Sequence, residues 1–236
     1  MKRSIPARYS RLAVLPAMLA CVASLAAMPS SAAEAGQRFR SVADFVKSTP
    51  HASADDQKGY GALTGAGRRD WAGVVIVDDP DDGRMRQLVV LAQRPDGGYE
   101  VAAQGPREPT DGGTGHFSLD ELRIDQGSLF VSWSWNWHGC AGGATQQIKF
   151  YKNQWRVVGA EFNHSNSIET PDGYDTGDSA TMSHNLLTGA VVIHFMPREH
   201  QAVTKTLALK PALELLDDNF GDGTGGVEEF SKYAGC

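Results

Sequence analysis

Residues 12–27 form an almost unbroken apolar run, behind a basic start with Lys2, Arg3, Arg8 and Arg11 and ahead of Met28-Pro29-Ser30-Ser31-Ala32-Ala33. That layout predicts a secretory signal peptide over residues 1–33, with cleavage after Ala33 or Ala35. The apolar run is short for a membrane anchor and contains Pro16, and no later stretch is long enough to span a bilayer. A lipoprotein site at Cys21 is the alternative, but the apolar run continues past that cysteine.

Beyond the leader the pattern changes. Ser41-Val42-Ala43-Asp44 reads as a capping box opening a short helix, with Val42, Phe45 and Val46 on one side and an end before Pro50. From residue 71 to 209 the chain is a series of short apolar or alternating runs. They lie at 72–77, 87–92, 99–103, 121–124, 128–137, 145–151, 155–162, 180–183, 190–195 and 203–209, and they read as strands. Turn residues join them: Arg94-Pro95-Asp96-Gly97-Gly98, Asp125-Gln126-Gly127, Lys152-Asn153-Gln154 and Leu187-Thr188-Gly189. Short links without intervening helices predict a mainly β protein, an antiparallel sandwich or partial propeller-like sheet with one short N-terminal helix. The expected division is a helix and linker over 34–70, an antiparallel β domain over 71–209 and a Gly- and Asp-rich tail over 210–236.

Charge narrows the partners. The whole chain of 236 residues carries 22 Lys+Arg and 28 Asp+Glu, but four of the cations and none of the acids lie in the leader. Without it, 18 Lys+Arg face 28 acids, a net charge of −10. Nucleic acid and anionic membrane surfaces call for a basic footprint, so a cationic protein partner suits this balance better.

Leader removal also takes Cys21 away and leaves Cys140 and Cys236 in an oxidising compartment, where a disulfide between them is expected. It would tie the tail back to the middle of the sheet.

Four segments carry candidate chemistry. The acidic turn Asp78-Asp79-Pro80-Asp81-Asp82-Gly83 places Asp78 and Asp82 at the first and fifth positions of a calcium-type loop, although Pro80 brings no side-chain oxygen to the third. It is either a weak Ca²⁺ site or a solvated acidic turn. A second calcium candidate runs from Asp217 to Glu228, with Asp222 where an EF-hand has glycine. In Ser132-Trp133-Ser134-Trp135-Asn136-Trp137-His138 the strict alternation puts Trp133, Trp135 and Trp137 on one face of a strand, which is either core or an exposed platform for sugar rings. Residues 163–179 form the longest polar interruption, and Tyr174 near its tip is flanked by Glu169, Asp172, Asp175 and Asp178. A tyrosine among carboxylates is suited to a basic cleft on another protein, and the bland alternative is a flexible loop.

Catalytic signatures are scarce: no Gly-x-Ser-x-Gly, no His-Glu-x-x-His and no phosphate-cradling or dinucleotide glycine loop occurs. A carboxylate pair of the glycoside-hydrolase kind needs no fixed spacing, so a cell-wall hydrolase stays among the alternatives.

Several pieces, in order, resemble a known family: Val74-Val75-Ile76-Val77-Asp78-Asp79-Pro80, Leu88-Val89-Val90-Leu91 with Gln93-Arg94-Pro95-Asp96-Gly97-Gly98-Tyr99, Gly127-Ser128-Leu129-Phe130-Val131-Ser132, Lys149-Phe150-Tyr151 with Gln154-Trp155-Arg156-Val157-Val158-Gly159, and Asn185-Leu186-Leu187-Thr188-Gly189. Together they are similar to periplasmic single-domain bacterial proteins with VCBS or FG-GAP-like repeats, over residues 72–195. The resemblance implies a periplasmic β protein. Some relatives look like lysozyme inhibitors and act as immunity proteins against cell-wall hydrolases, and some bind calcium through the acidic loop. The resulting expectation is an exported inhibitor or immunity-type protein whose acidic loop enters the basic cleft of a peptidoglycan hydrolase. A glycan-binding envelope protein using the Trp strand is the alternative.

Overall fold

The apolar runs 71–77 and 88–92, the longest beyond the predicted leader, become neighbouring strands covered on both faces. A computed structural model of the chain describes residues 37–110, 116–137, 139–171, 173–211 and 213–215, all within the unit Ala32–Cys236. The predicted leader, most of the tail and Cys236 lie outside the described residues.

The first sheet contains β1 (Arg38–Phe39), β2 (Ala52–Gly61), β3 (Asp70–Asp79), β4 (Gly83–Gln93) and β5 (Tyr99–Pro109), with α1 (Val42–Ser48) between β1 and β2. Its spatial order is β1-β5-β4-β3-β2, antiparallel throughout. The second sheet contains β6 (His116–Asp125), β7 (Ser128–Trp137), β8 (Cys140–Tyr151), β9 (Gln154–Thr170), β10 (Gly173–Asn185), β11 (Ala190–Met196) and β12 (Val203–Ala208), joined in chain order. It curls into a half-barrel, and a short β13 (Glu214–Leu215) pairs with the start of β9. The mainly antiparallel β fold with one short helix is therefore as the sequence predicts.

Alternation sorts the side chains between two cores. Ala72, Val74, Ile76, Leu88 and Val90 face the half-barrel and pack with Leu129, Val131, Trp133, Ile148, Phe162, Met182 and Ile193. On the other face Trp71, Val75, Val77, Val89, Leu91 and Val101 pack under α1 with Phe39 and Phe45. Burial on both faces is why β3 reads as a continuous apolar run instead of an alternating one. The helix sits as expected: the Ser41 hydroxyl accepts the Asp44 N–H at 3.1 Å, and Phe45, 1% exposed, meets the Phe39 ring edge-on at 5.2 Å.

Asp70 organises one end of the first sheet. It is fully buried, and its carboxylate accepts the N–H groups of Leu63, Thr64 and Gln93 at 2.8, 2.6 and 2.8 Å, plus the Thr64 hydroxyl. These bonds satisfy a buried charge and hold the β2–β3 loop against the end of β4.

Two predicted irregular segments are strands. Residues 52–61, read as linker, form β2, whose Gly59 and Gly61 lie against Leu122 and Ile124 of β6. A Cβ at Gly61 would stand 3.0 Å from the Ile124 Cβ, so the absent side chain is what lets the two sheets close along this edge. Residues 163–179, read as a polar loop, contain the end of β9 and the start of β10, paired as far as Thr170 opposite Gly173. Polar side chains hid both, because an edge strand and a two-stranded ribbon bury little.

Candidate functional site

The β9–β10 hairpin outruns its neighbours. On one side β8 pairs with β9 as far as Cys140 opposite Asn166, and on the other β11 pairs with β10 as far as Met196 opposite Ser179. The hairpin itself continues to Thr170 opposite Gly173. Among the described residues, 168–170 and 173–175 therefore pair only with one another, and at about 3.4 Å per residue the two arms extend about 10 Å past the flanking strands.

The predicted acidic residues sit on this ribbon, but not as four equivalent carboxylates. Asp175 forms a 2.9 Å ion pair with the Arg198 guanidinium, and Asp178, in the bulge between Thr176 and Ser179, accepts the Arg198 N–H at 3.0 Å. Arg198, from the β11–β12 connection, thus fastens the base of the ribbon. Two of the expected carboxylates therefore already have a partner inside the molecule. Glu169, exposed and opposite Tyr174 in register, makes no ion pair among the described residues. Asp172 lies outside the described residues. Arg198 is the residue sequence reasoning missed, since a lone arginine in Met196-Pro197-Arg198-Glu199-His200 gives no signal of where it lands.

The acidic turn Asp78-Asp79-Pro80-Asp81-Asp82-Gly83 is the β3–β4 hairpin connection, and its charges are also partly met. Asp79 accepts the N–H groups of Asp81 and Asp82 at 3.0 and 3.2 Å, which holds its carboxyl below the usual range, with Arg107 at 3.6 Å helping. Asp78 lies 3.9 Å from Arg84, and Asp82 is exposed. Among the described residues no three His, Cys, Asp or Glu side chains gather closely enough to hold a metal. The second calcium candidate, from Asp217 to Glu228, lies outside the described residues.

The tryptophan strand resolves toward the core. Trp133 is 6% exposed inside the half-barrel, and Trp135 packs beside it with its ring stacked on His164 at 6.5 Å between centroids. The Trp135 ring lies across Gly142 of β8, where any Cβ would overlap it. A sugar platform needs indoles in solvent, so the buried Trp133 does not provide one, and Trp135 is half-buried. Nothing is described of the Trp137 side chain.

The outward face of the same sheet does hold a groove, of about 340 Å³, that sequence reasoning did not single out. Phe130 and Leu187 wall it, Gly159 lies on its floor, and Gln147, Glu161 and Ser183 offer hydrogen bonds. Arg123 lies over the Phe130 ring at 4.4 Å and is held by Glu121 and Asp125. Its only sequence signal is that these residues occupy outward positions on adjacent strands.

Cys140 opens β8 beside the base of the ribbon and is not a free thiol. Among the described residues no helix is long and apolar enough to cross a membrane. Comparison with protein-family models, curated proteins and solved structures gave no match.

Proposed function

We propose that this is an exported binding protein that inserts the tip of the β9–β10 ribbon into a basic cleft on a protein partner, in the manner of an inhibitor or immunity protein directed at a peptidoglycan hydrolase. The observation that carries the reading is the overhang: among the described residues, Ile168 to Thr170 and Gly173 to Asp175 pair with each other beyond the reach of both flanking strands, and they include Glu169 and Tyr174. A projecting ribbon reaches into a concave active site where a flat sheet face cannot. The Arg198 fastening adds to this, because a ribbon already ordered loses less entropy on docking than a free loop. A net charge of −10 for residues 34–236 favours encounter with a cationic target by long-range steering.

The leader places the protein in the periplasm in this reading, and there Cys140 is bonded to Cys236. Non-reducing mass spectrometry of the exported protein is expected to find no free thiol, and two free thiols would remove the bridge.

The test of function is titration of the purified protein into lysozymes and other cell-wall hydrolases, with the protein alone checked for turnover of the same substrate. Stoichiometric inhibition that weakens with salt is expected. Tyr174→Ala should cost about 2 kcal/mol or more of binding, as tyrosine anchors do. Unchanged affinity in that variant would take the ribbon out of the reading.

A second reading, glycan binding, is favoured by the outer-face groove rather than by the tryptophans. Its apolar walls and convergent amide, hydroxyl and carboxylate groups match the mixed surface of a sugar. Retention on peptidoglycan that Phe130→Ala abolishes would support it.

A further inference from the structure

Arg38, Arg40, Arg68, Arg69 and Arg94 lie at one end of the first sheet in this acidic chain. There a groove of about 450 Å³ opens between β1 and the β4–β5 turn, lined by Arg38, Arg40, Arg94, Asp96, Gly97 and Gly98. Arg94 is fixed by a 2.8 Å ion pair to Asp96, which also accepts the Gly98 N–H at 3.2 Å. Arg38 and Arg40, both exposed, make no ion pair among the described residues, although Glu100 lies opposite Arg38 in the strand register. The row extends across the sheet end, where an Arg68 guanidinium N–H is donated to the Gln93 carbonyl at 3.2 Å and the Arg69 backbone N–H to the Gln93 side chain at 2.8 Å. Asp70, at the same end, is buried and occupied by its own hydrogen bonds.

Net charge is a poor guide to such a place. Ionic screening over about 8 Å at physiological salt leaves a ligand in this groove governed by the nearest guanidiniums rather than by the distant ribbon. Arginine presents a planar fork of donors that fits oxyanions with several equivalent oxygens, and Arg38 and Arg40, without an ion pair among the described residues, line the same groove as the fixed Arg94. A carboxylate would engage one fork; a phosphate can engage two or three. The groove is larger than a bare phosphate, which leaves room for the organic part of an ester.

We propose that the groove between β1 and the β4–β5 turn binds a phosphate ester, held by Arg38, Arg40 and Arg94. The site is independent of the ribbon, and either can fail without the other. It stands beside the expectation from composition that a cationic partner suits the chain, since net charge does not describe each patch of the surface.

The test uses the exported protein in two arms, each repeated with the double variant R38Q/R40Q, whose exposed side chains can be changed without disturbing the core. In the first, glycerol 3-phosphate and inorganic phosphate are titrated while the Gly97 and Gly98 amide resonances are followed. In the second, the protein is sedimented with vesicles of phosphatidylglycerol or of phosphatidylcholine. The expected result is a saturable shift of both amides with glycerol 3-phosphate, weakened about tenfold or more in the double variant. Sedimentation with phosphatidylglycerol alone, lost in the double variant, would place the ester on a lipid headgroup; shifts without sedimentation would place it on a soluble ligand. Neither shift nor sedimentation, or equal binding by the double variant, would overturn the proposal.

Discussion

Strands β3 and β4 and the end of the β9–β10 hairpin are built from the same antiparallel pairing, yet they occupy opposite extremes of the molecule. On β3 every residue from Asp70 to Val77 is buried, between α1 on one side and the half-barrel on the other. Among the described residues, 168–170 and 173–175 pair with no flanking strand, and the exposed Ile168, Glu169 and Asp175 show how little they bury. The first pair is held by area removed from water, and the second by its own ladder with one arginine at its base. A region that contributes little to stability is free to carry charge and shape for a partner, so mutations in the two should separate stability from binding.

The largest effect is expected at Asp70. Asp70→Ala strips the acceptor from three backbone N–H groups, two of them part-buried and one buried, and should lower stability by about 3 to 5 kcal/mol in urea unfolding. A loss below about 1 kcal/mol would mean that water satisfies those groups and that the end of the first sheet is looser than its geometry.

Gly142→Val should come next. The new side chain would overlap the Trp135 ring, and displacing that indole from its place beside His164 should cost about 1 to 3 kcal/mol and change the tryptophan fluorescence. An unchanged spectrum would contradict the placement of Trp135 across β8.

Acid should weaken the half-barrel through His184. It is 3% exposed, and neither ring nitrogen has a partner among the described residues, so burial pushes its pKa below the ordinary 6.5. The unfolded chain binds this proton more readily than the folded one. The associated stability is therefore complete above pH 6.5 and is lost as the pH falls from there toward the lower folded value. His184→Leu should flatten that part of the stability profile measured by urea unfolding from pH 7.5 to 5; an identical slope in the variant would assign it to other groups.

The smallest stability effect belongs to the ribbon. Arg198→Ala removes an exposed ion pair and should change global stability by less than about 1 kcal/mol. Hydrogen exchange of the amides at 174–176 should nevertheless speed up, because the side-chain tie to Asp175 is lost and only the backbone bond from residue 198 to Asp178 is left. Unchanged exchange there would mean that the ladder alone keeps it ordered.

How well the sequence foretold each part follows the same contrast. Runs such as Val74-Val75-Ile76-Val77 and Leu88-Val89-Val90-Leu91 announce strands because burial on both faces leaves no polar position. Ser41 and Asp44 announce the helix cap because that chemistry is local. β2 escaped notice because Gly59 and Gly61 serve by lacking side chains, and a close approach of two sheets leaves no apolar mark. The ribbon was legible as a polar stretch and as a candidate surface, but not as paired strand. Whether the tryptophans faced inward could not be read from their alternation, which is the same for a core face and an exposed one. The arginine groove was invisible to composition, since Arg38, Arg40 and Arg94 meet only when β1 is laid against β5.

The most direct test of the central claim is a hydrolase inhibition titration comparing the intact protein with one in which residues 167–176 are replaced by Asn-Gly, a two-residue hairpin turn that keeps the flanking strands in register. The account predicts stoichiometric inhibition by the intact protein and none by the shortened one, with both unfolding at the same urea concentration. Equal inhibition by the two, or inhibition by neither, would contradict it.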